Sequence, residues 1–246
     1  MATFDGMLPG TGLLPAPQAR SICQIRTRFG GPSSGSSKRG SGFLVLRRNG
    51  CCFVATAAHV LYDDTHGLAR SVEVRIGQTA AGAAQIYTIN GNVADNCLIP
   101  DGYRDSNPHD NDYDFAVIRI ANDLAGFYCF DVSSVEPVQS LVRLYGYPMH
   151  ANSAQTDTPH HAIFEVVAVD SEGFEYAHLS NAPTGQAGTP VVTYEGLSGG
   201  PLVGNSSTNE TNRAFGIHTR GGYGIRAVRF SSRVRAEIRN WAASVS

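Results

Sequence analysis

Strand-length apolar runs, each closed by glycine, proline or a polar turn, recur along almost the whole chain. This rhythm constrains the fold more than any other feature. The 27 glycines and 12 prolines interrupt hydrophobic stretches too short for helices, the pattern of an all-β protein with many turns. The clearest unit is Ser41 to Leu46, a turn at Asn49-Gly50, and Cys51 to Ala55. Asn-Gly accepts the positive φ angles of a two-residue loop, so this stretch reads as a β-hairpin.

Other runs extend the pattern. Ser21 to Phe29, Val72 to Ile76, Ala84 to Ile89 and Phe115 to Ile120 read as strands in the first half. Ser140 to Tyr147, Ala162 to Val169, Glu175 to Ser180, Gly200 to Val203, Ala214 to His218 and Gly224 to Phe230 do so in the second. Gly30 to Gly40 reads as a flexible Gly/Ser loop, Asn90 to Asp112 as a polar surface connection, and Ala121 to Glu136 as a crossover. About six strands per half predict two six-stranded antiparallel β-barrels. Ser231 is placed to cap a C-terminal α-helix with Val234, Ile238 and Trp241 on one apolar face. The expected organisation is an arm or pro-segment over 1–20, a barrel over 21–125, and a barrel with the helix over 126–246.

Bulk properties exclude several classes. An apolar content of 42% and a charged content of 16% describe a globular chain. A net charge of −2 gives no reason to expect nucleic-acid or membrane-surface binding, and the arginines of the tail read as a solvated helix face. No run approaches the roughly 18 apolar residues of a membrane span. Met1 to Arg20 lacks a basic start and a continuous apolar core, so no secretory signal is read there. The sequons at Asn205 and Asn209 matter only to a chain that meets glycosylation machinery, and an intracellular monomer is the expectation. The five cysteines have no metal-ligand spacing and read as small buried hydrophobes. Adjacent His160 and His161 point to opposite faces of a strand, so neither they nor His150 suggest a chelate. No metal and no cofactor is expected.

Chemistry concentrates elsewhere. Glu195-Gly196-Leu197-Ser198-Gly199-Gly200-Pro201 sets one serine among three glycines, a turn that can present a hydroxyl and aim backbone amides at one point. A nucleophilic serine needs a base and an orienting acid. Ala55-Thr56-Ala57-Ala58-His59-Val60 ends an apolar run in a histidine, and Asp112-Tyr113-Asp114 precedes the Phe115 strand. Either aspartate could be the acid on the residues alone.

With these stretches, together with Gly40 to Val45, Tyr145-Gly146-Tyr147-Pro148 and Phe215-Gly216-Ile217-His218, the chain resembles the trypsin-like serine peptidase family. Within it, the glutamyl-endopeptidase branch is the nearer match. The order His, Asp, Ser is that of chymotrypsin-like enzymes. The resemblance covers roughly residues 40 to 245 and implies the chymotrypsin-like fold. It also implies a peptide or protein substrate and a His59-Asp114-Ser198 triad, with Asp114 preferred because the family's acid directly precedes this strand. Backbone N–H groups of Gly196 and Ser198 would form the oxyanion hole. His218 and Thr193 would line a pocket for glutamate, with glutamine or aspartate open, and Arg220 and Arg226 are further candidates to meet an acid. Thr219 to Gly221 would pair with the substrate backbone. No acid stands where trypsin has its pocket aspartate; that place is Val192. Leu197 replaces a commonly polar residue, and Ala182 to Val192 reads as an insertion. The bridge that many relatives form around the histidine is impossible, because Val60 follows it. The alternative function is a peptide-binding module on the same fold that does not cut.

Overall fold

A computed structural model describes residues 7–9, 14, 16–30, 35–77, 84–105, 111–132, 141–149, 156, 158–171, 173–178, 194–204, 213–220 and 225–245. The first half carries β1 (Ile22–Arg28), β2 (Ser37–Arg48), β3 (Cys51–Thr56), β4 (Ser71–Ile76), β5 (Gln85–Asn90) and β6 (Ala116–Ile120). The second carries β7 (Leu141–Gly146), β8 (His160–Val169), β9 (Gly173–His178), β10 (Pro201–Gly204), β11 (Arg213–Arg220) and β12 (Ile225–Arg229). A helix over Ser232–Ser244 follows. The expected all-β fold with a C-terminal helix is the one observed.

In the second half β8-β7-β10-β11-β12-β9 closes on itself through the β8–β9 pairing, all antiparallel. Among the described residues the first half runs β5-β4-β1-β2-β3-β6 and ends on a short strand, Cys97–Leu98, against β6. That path is an open sheet rather than a six-stranded ring. After β5 the chain takes a helical turn, Val93–Asn96, and only Cys97 and Leu98 pair with β6. The Asn90 to Asp112 connection is also less superficial than its polarity suggests, since Val93, Cys97, Ile99 and Tyr103 are buried. Part of the expected Gly/Ser loop is strand, because β2 begins at Ser37 and pairs with Arg28.

The β2–β3 hairpin turns on Asn49 (φ 49°) and Gly50 (φ 75°), the paired positive angles that the sequence called for. The helix begins on Ser231, whose hydroxyl accepts the Val234 N–H at 3.3 Å. Val234, Ile238 and Ala242 are buried against the first half, and Trp241 sets its edge on Phe53. The helix of the second half thus completes the core of the first. Ahead of β1, Leu8–Pro9 pairs with β8, and Met7 joins the second core. Ser21 is fully buried, its hydroxyl donating to the Pro17 carbonyl and accepting the Tyr128 N–H. All five cysteines are unbridged, four of them buried. Burial pushes the Cys97 thiol up to about 12 and Cys129 to about 11, so these groups stay protonated and unreactive.

Candidate active site

Strand register brings the candidate base and acid together. In the β3–β6 pair Thr56 stands opposite Ala116. The chain leaves that end of β3 into the helical turn Ala58–Leu61, which carries His59, and reaches β6 through the turn Asn111–Tyr113 and then Asp114. Asp114, 6% exposed, sets Oδ2 at 2.8 Å from His59 Nδ1, and its Oδ1 accepts the His59 backbone N–H at 2.9 Å. A carboxylate can only accept, so Nδ1 carries the ring proton and Nε2 keeps its lone pair. Holding both ring and backbone of one residue leaves that imidazole little freedom.

The turn beneath the ring is secured by side chains. Lys38 Nζ donates to the carbonyls of His59 (3.1 Å) and Tyr62 (2.9 Å), and the Thr27 hydroxyl donates to that of Val60 (2.9 Å). These carbonyls sit at the end of a one-turn helix and have no partner within it. Lys38 also pairs with Asp63, as does His66. The two contacts, His66 first, hold the Asp63 carboxyl well below its usual range.

Asp112 faces elsewhere. Its carboxylate meets Arg226 at 3.1 Å and its carbonyl accepts from Arg233 at 2.7 Å. Of the two aspartates the sequence left open, Asp114 is the one on the imidazole. Arg226, a candidate to meet an acidic substrate group, is spent within the protein on Asp112 and Asp170.

Ser198 sits half-buried in a turn bounded by Gly196 (φ 86°) and Gly199 (φ 89°). A Cβ at Gly199 would lie 2.1 Å from the Ser41 carbonyl oxygen and 2.2 Å from Thr56 Oγ1. Both the left-handed backbone and the close approach therefore require glycine there. The Ser198 carbonyl accepts the Ser41 N–H at 2.7 Å, Gly199 N–H donates to the His218 carbonyl at 2.7 Å, and His218 N–H donates to Gly200 at 2.9 Å. The serine turn is thus stitched to β2 on one side and β11 on the other, beside the exit from β3 that leads to His59.

His218 is 1% exposed. Its Nδ1 shares a hydrogen bond with the Tyr176 hydroxyl, and the two rings meet edge-on. Burial first, and the neighbouring His59 second, lower its pKa to about 3 against the opposing effects of Asp114 and a hydrogen bond to the Arg226 carbonyl. The imidazole is neutral at any ordinary pH. Thr219 is buried in β11, its hydroxyl donating to the Arg226 carbonyl at 3.3 Å. Thr193, Gly221, His109, His150, Asn205, Asn209 and the 182–192 insertion lie outside the described residues, as do the side chains of His178 and Arg220. His160 Nδ1 lies 2.9 Å from the Thr158 carbonyl, and His161 stacks on Tyr145. Among the described residues no cluster of three or more His, Cys, Asp or Glu could hold a metal ion. Nor is any described helix long and apolar enough to cross a membrane.

Residue reasoning gave no role here to Lys38 or Tyr176, nor to Ser41 and Thr56, although the last two lie in stretches it singled out. Ser41 had a signal, a serine between two glycines at the start of an apolar strand. The other three are ordinary strand residues until the register places them.

This arrangement of β-sheets and helix is the fold of the trypsin-like serine peptidases. The sequence matches the Trypsin family over residues 19–241, and the chain belongs to that family. Solved structures agree on the fold. A Glu endopeptidase in complex with MPD superposes with a TM-score of 0.65 at 18% identity, covering 98% of this chain and 97% of that one. A protein called GrC gives 0.62 at 18%, covering 92% and 96%. The protease Anisep from Arthrobacter nicotinovorans gives 0.64 at 16%, covering 91% and 96%. No curated protein matches the sequence.

Proposed function

We propose that this protein is a serine endopeptidase that cuts after glutamate through His59, Asp114 and Ser198. The observation that carries the reading is the Asp114 carboxylate bound to both Nδ1 and the backbone N–H of His59. That pairing presents Nε2 as a base. Ser198 Oγ attacks the scissile carbonyl while Nε2 takes its proton, and the imidazolium, stabilised by Asp114, returns that proton to the leaving amine. The N–H groups of Gly196 and Ser198 receive the oxyanion, each worth about 3 kcal/mol in such sites. No cofactor enters these steps.

The substrate backbone pairs with Thr219 to Gly221 as an added strand, and His218 with Thr193 receives the side chain before the cut. Support for glutamate comes from the Gly216-Ile217-His218 stretch and from the similarity to a Glu endopeptidase. A second reading has its own support, because the neutral imidazole of His218 offers a hydrogen bond rather than a charge. Glutamine therefore competes with glutamate at this wall.

The test is a peptide-library digest read by mass spectrometry, alongside labelling by a fluorophosphonate, which reacts only with an activated serine. Cleavage after Glu with labelling lost in Ser198→Ala is expected. Equal turnover by Ser198→Ala would refute the reading. A folded wild-type chain that takes no label would point to peptide binding without cleavage.

A further inference from the structure

We propose that Ser41 is a positioning residue for the reaction: its buried hydroxyl selects the backbone conformation of the turn that presents Ser198. The inference rests on the peptidase reading above and adds to it a residue from the opposite half of the molecule.

Each hydrogen-bonding group of Ser41 is committed. Its hydroxyl donates to the Gly196 carbonyl at 2.6 Å and accepts the Tyr147 N–H at 2.9 Å. Its own N–H donates to the Ser198 carbonyl at 2.7 Å, and its carbonyl accepts the Thr56 hydroxyl at 2.8 Å. The residue is completely buried in β2. Two peptide planes of the serine turn, Gly196–Leu197 and Ser198–Gly199, are thus held at their carbonyls by one residue of the first sheet. The plane between them is held by Gly200 N–H donating to the Leu197 carbonyl at 2.9 Å.

Such anchoring has work to do because of the glycines. Gly196 and Gly199 both stand at positive φ, and glycine takes either sign of φ with little preference. A peptide plane flanked by glycine can turn over, exchanging the directions of its N–H and C=O. The Leu197 N–H turns with the Gly196–Leu197 plane, and the oxyanion donors of Gly196 and Ser198 lie in the planes on either side of it, so an exchange displaces the frame that aims them. The Tyr147 N–H occupies the lone-pair side of the Ser41 oxygen, so the hydroxyl hydrogen is directed at Gly196 and holds its carbonyl in one orientation. A Cβ on Gly146 would come 2.7 Å from Ser41 Oγ, so the β7 backbone closes the remaining side of the hydroxyl. Leu197, 1% exposed and packed in the second core, donates its N–H to the Tyr194 carbonyl at 3.3 Å at the other end of the same plane, a longer bond than the 2.6 Å one from Ser41.

The experiment compares wild type, Ser41→Ala and Ser41→Cys in steady-state hydrolysis of a Glu-containing peptide, with thermal unfolding and crystal structures of each. Expected for Ser41→Ala is a fall in kcat of about 100-fold, the cost of a small misplacement of the serine turn, with KM within about threefold, and a Gly196 carbonyl turned from its wild-type direction. Ser41→Cys, with a weak donor and acceptor, recovers part of kcat. If Ser41→Ala does not fold, Ser41→Cys against wild type carries the same comparison. A folded variant with unchanged kcat overturns the inference, as does a Gly196 carbonyl that stays in place without the hydroxyl. If wild type hydrolyses nothing, the peptidase reading falls. The crystallographic comparison still decides whether Ser41 sets the turn.

Discussion

Replacing His218 by glutamine removes a proton-linked part of the protein's stability. The imidazole titrates near 6.5 in an unfolded chain and is pushed to about 3 in the fold, first by burial, with the nearby His59 lowering it further. The unfolded chain therefore binds the extra proton across that window, and stability rises with pH through it. The contribution is fully present above the unfolded value and is lost as pH falls toward the folded one. Over the whole window it amounts to about 5 kcal/mol, and between about pH 7 and about pH 4.5 to roughly half of that. The assay is urea unfolding at several pH values in that interval, for wild type and His218→Gln. Carboxylates titrate in both proteins, so the readout is the difference between the two curves. The variant should lose about 2–3 kcal/mol less on acidification. Parallel curves would show that His218 takes up its proton without cost, refuting its enclosure beside Tyr176.

Three further outcomes are expected. Asp114→Asn puts an amide against Nδ1, favours the wrong tautomer, and should lower kcat about ten-thousand-fold with the fold intact; steady-state kinetics with circular dichroism would check it. Gly199→Ala forces a side chain to φ 89° and onto the Ser41 carbonyl. Strain and overpacking there amount to about 4 kcal/mol, visible as a lowered denaturation midpoint and lost turnover. Arg233 lies 4.3 Å over the Tyr113 ring and donates to the Asp112 carbonyl, tying the helix to the segment before Asp114. Arg233→Ala should cost about 1–2 kcal/mol in chemical denaturation.

Much of the fold was legible because local chemistry and tertiary need agree along most of the chain. The Asn49-Gly50 turn, the helix cap at Ser231 and the apolar runs of β1 to β12 each have one comfortable conformation, and the fold uses it. Disagreement arose where polarity misled. Asn90 to Asp112 reads as surface, yet Tyr103 and Ile99 are buried within it, since a few apolar residues in a polar stretch suffice to dock it. The opening of the first sheet next to β5 was likewise hidden, because strand count does not dictate whether the last two strands meet.

The candidate site divides along the same line. Glycines around Ser198, the small residues before His59 and an aspartate ahead of β6 are written in the sequence because backbone angles and chemical type are local properties. Which aspartate serves the imidazole is not local. Asp112 and Asp114 differ by two positions, and only the β3–β6 register turns one toward His59 and leaves the other to Arg226. The same holds for the neutral state of His218 and the office of Ser41. Both depend on what packs around a side chain from distant strands, and burial and hydrogen-bond direction exist only once those strands have met.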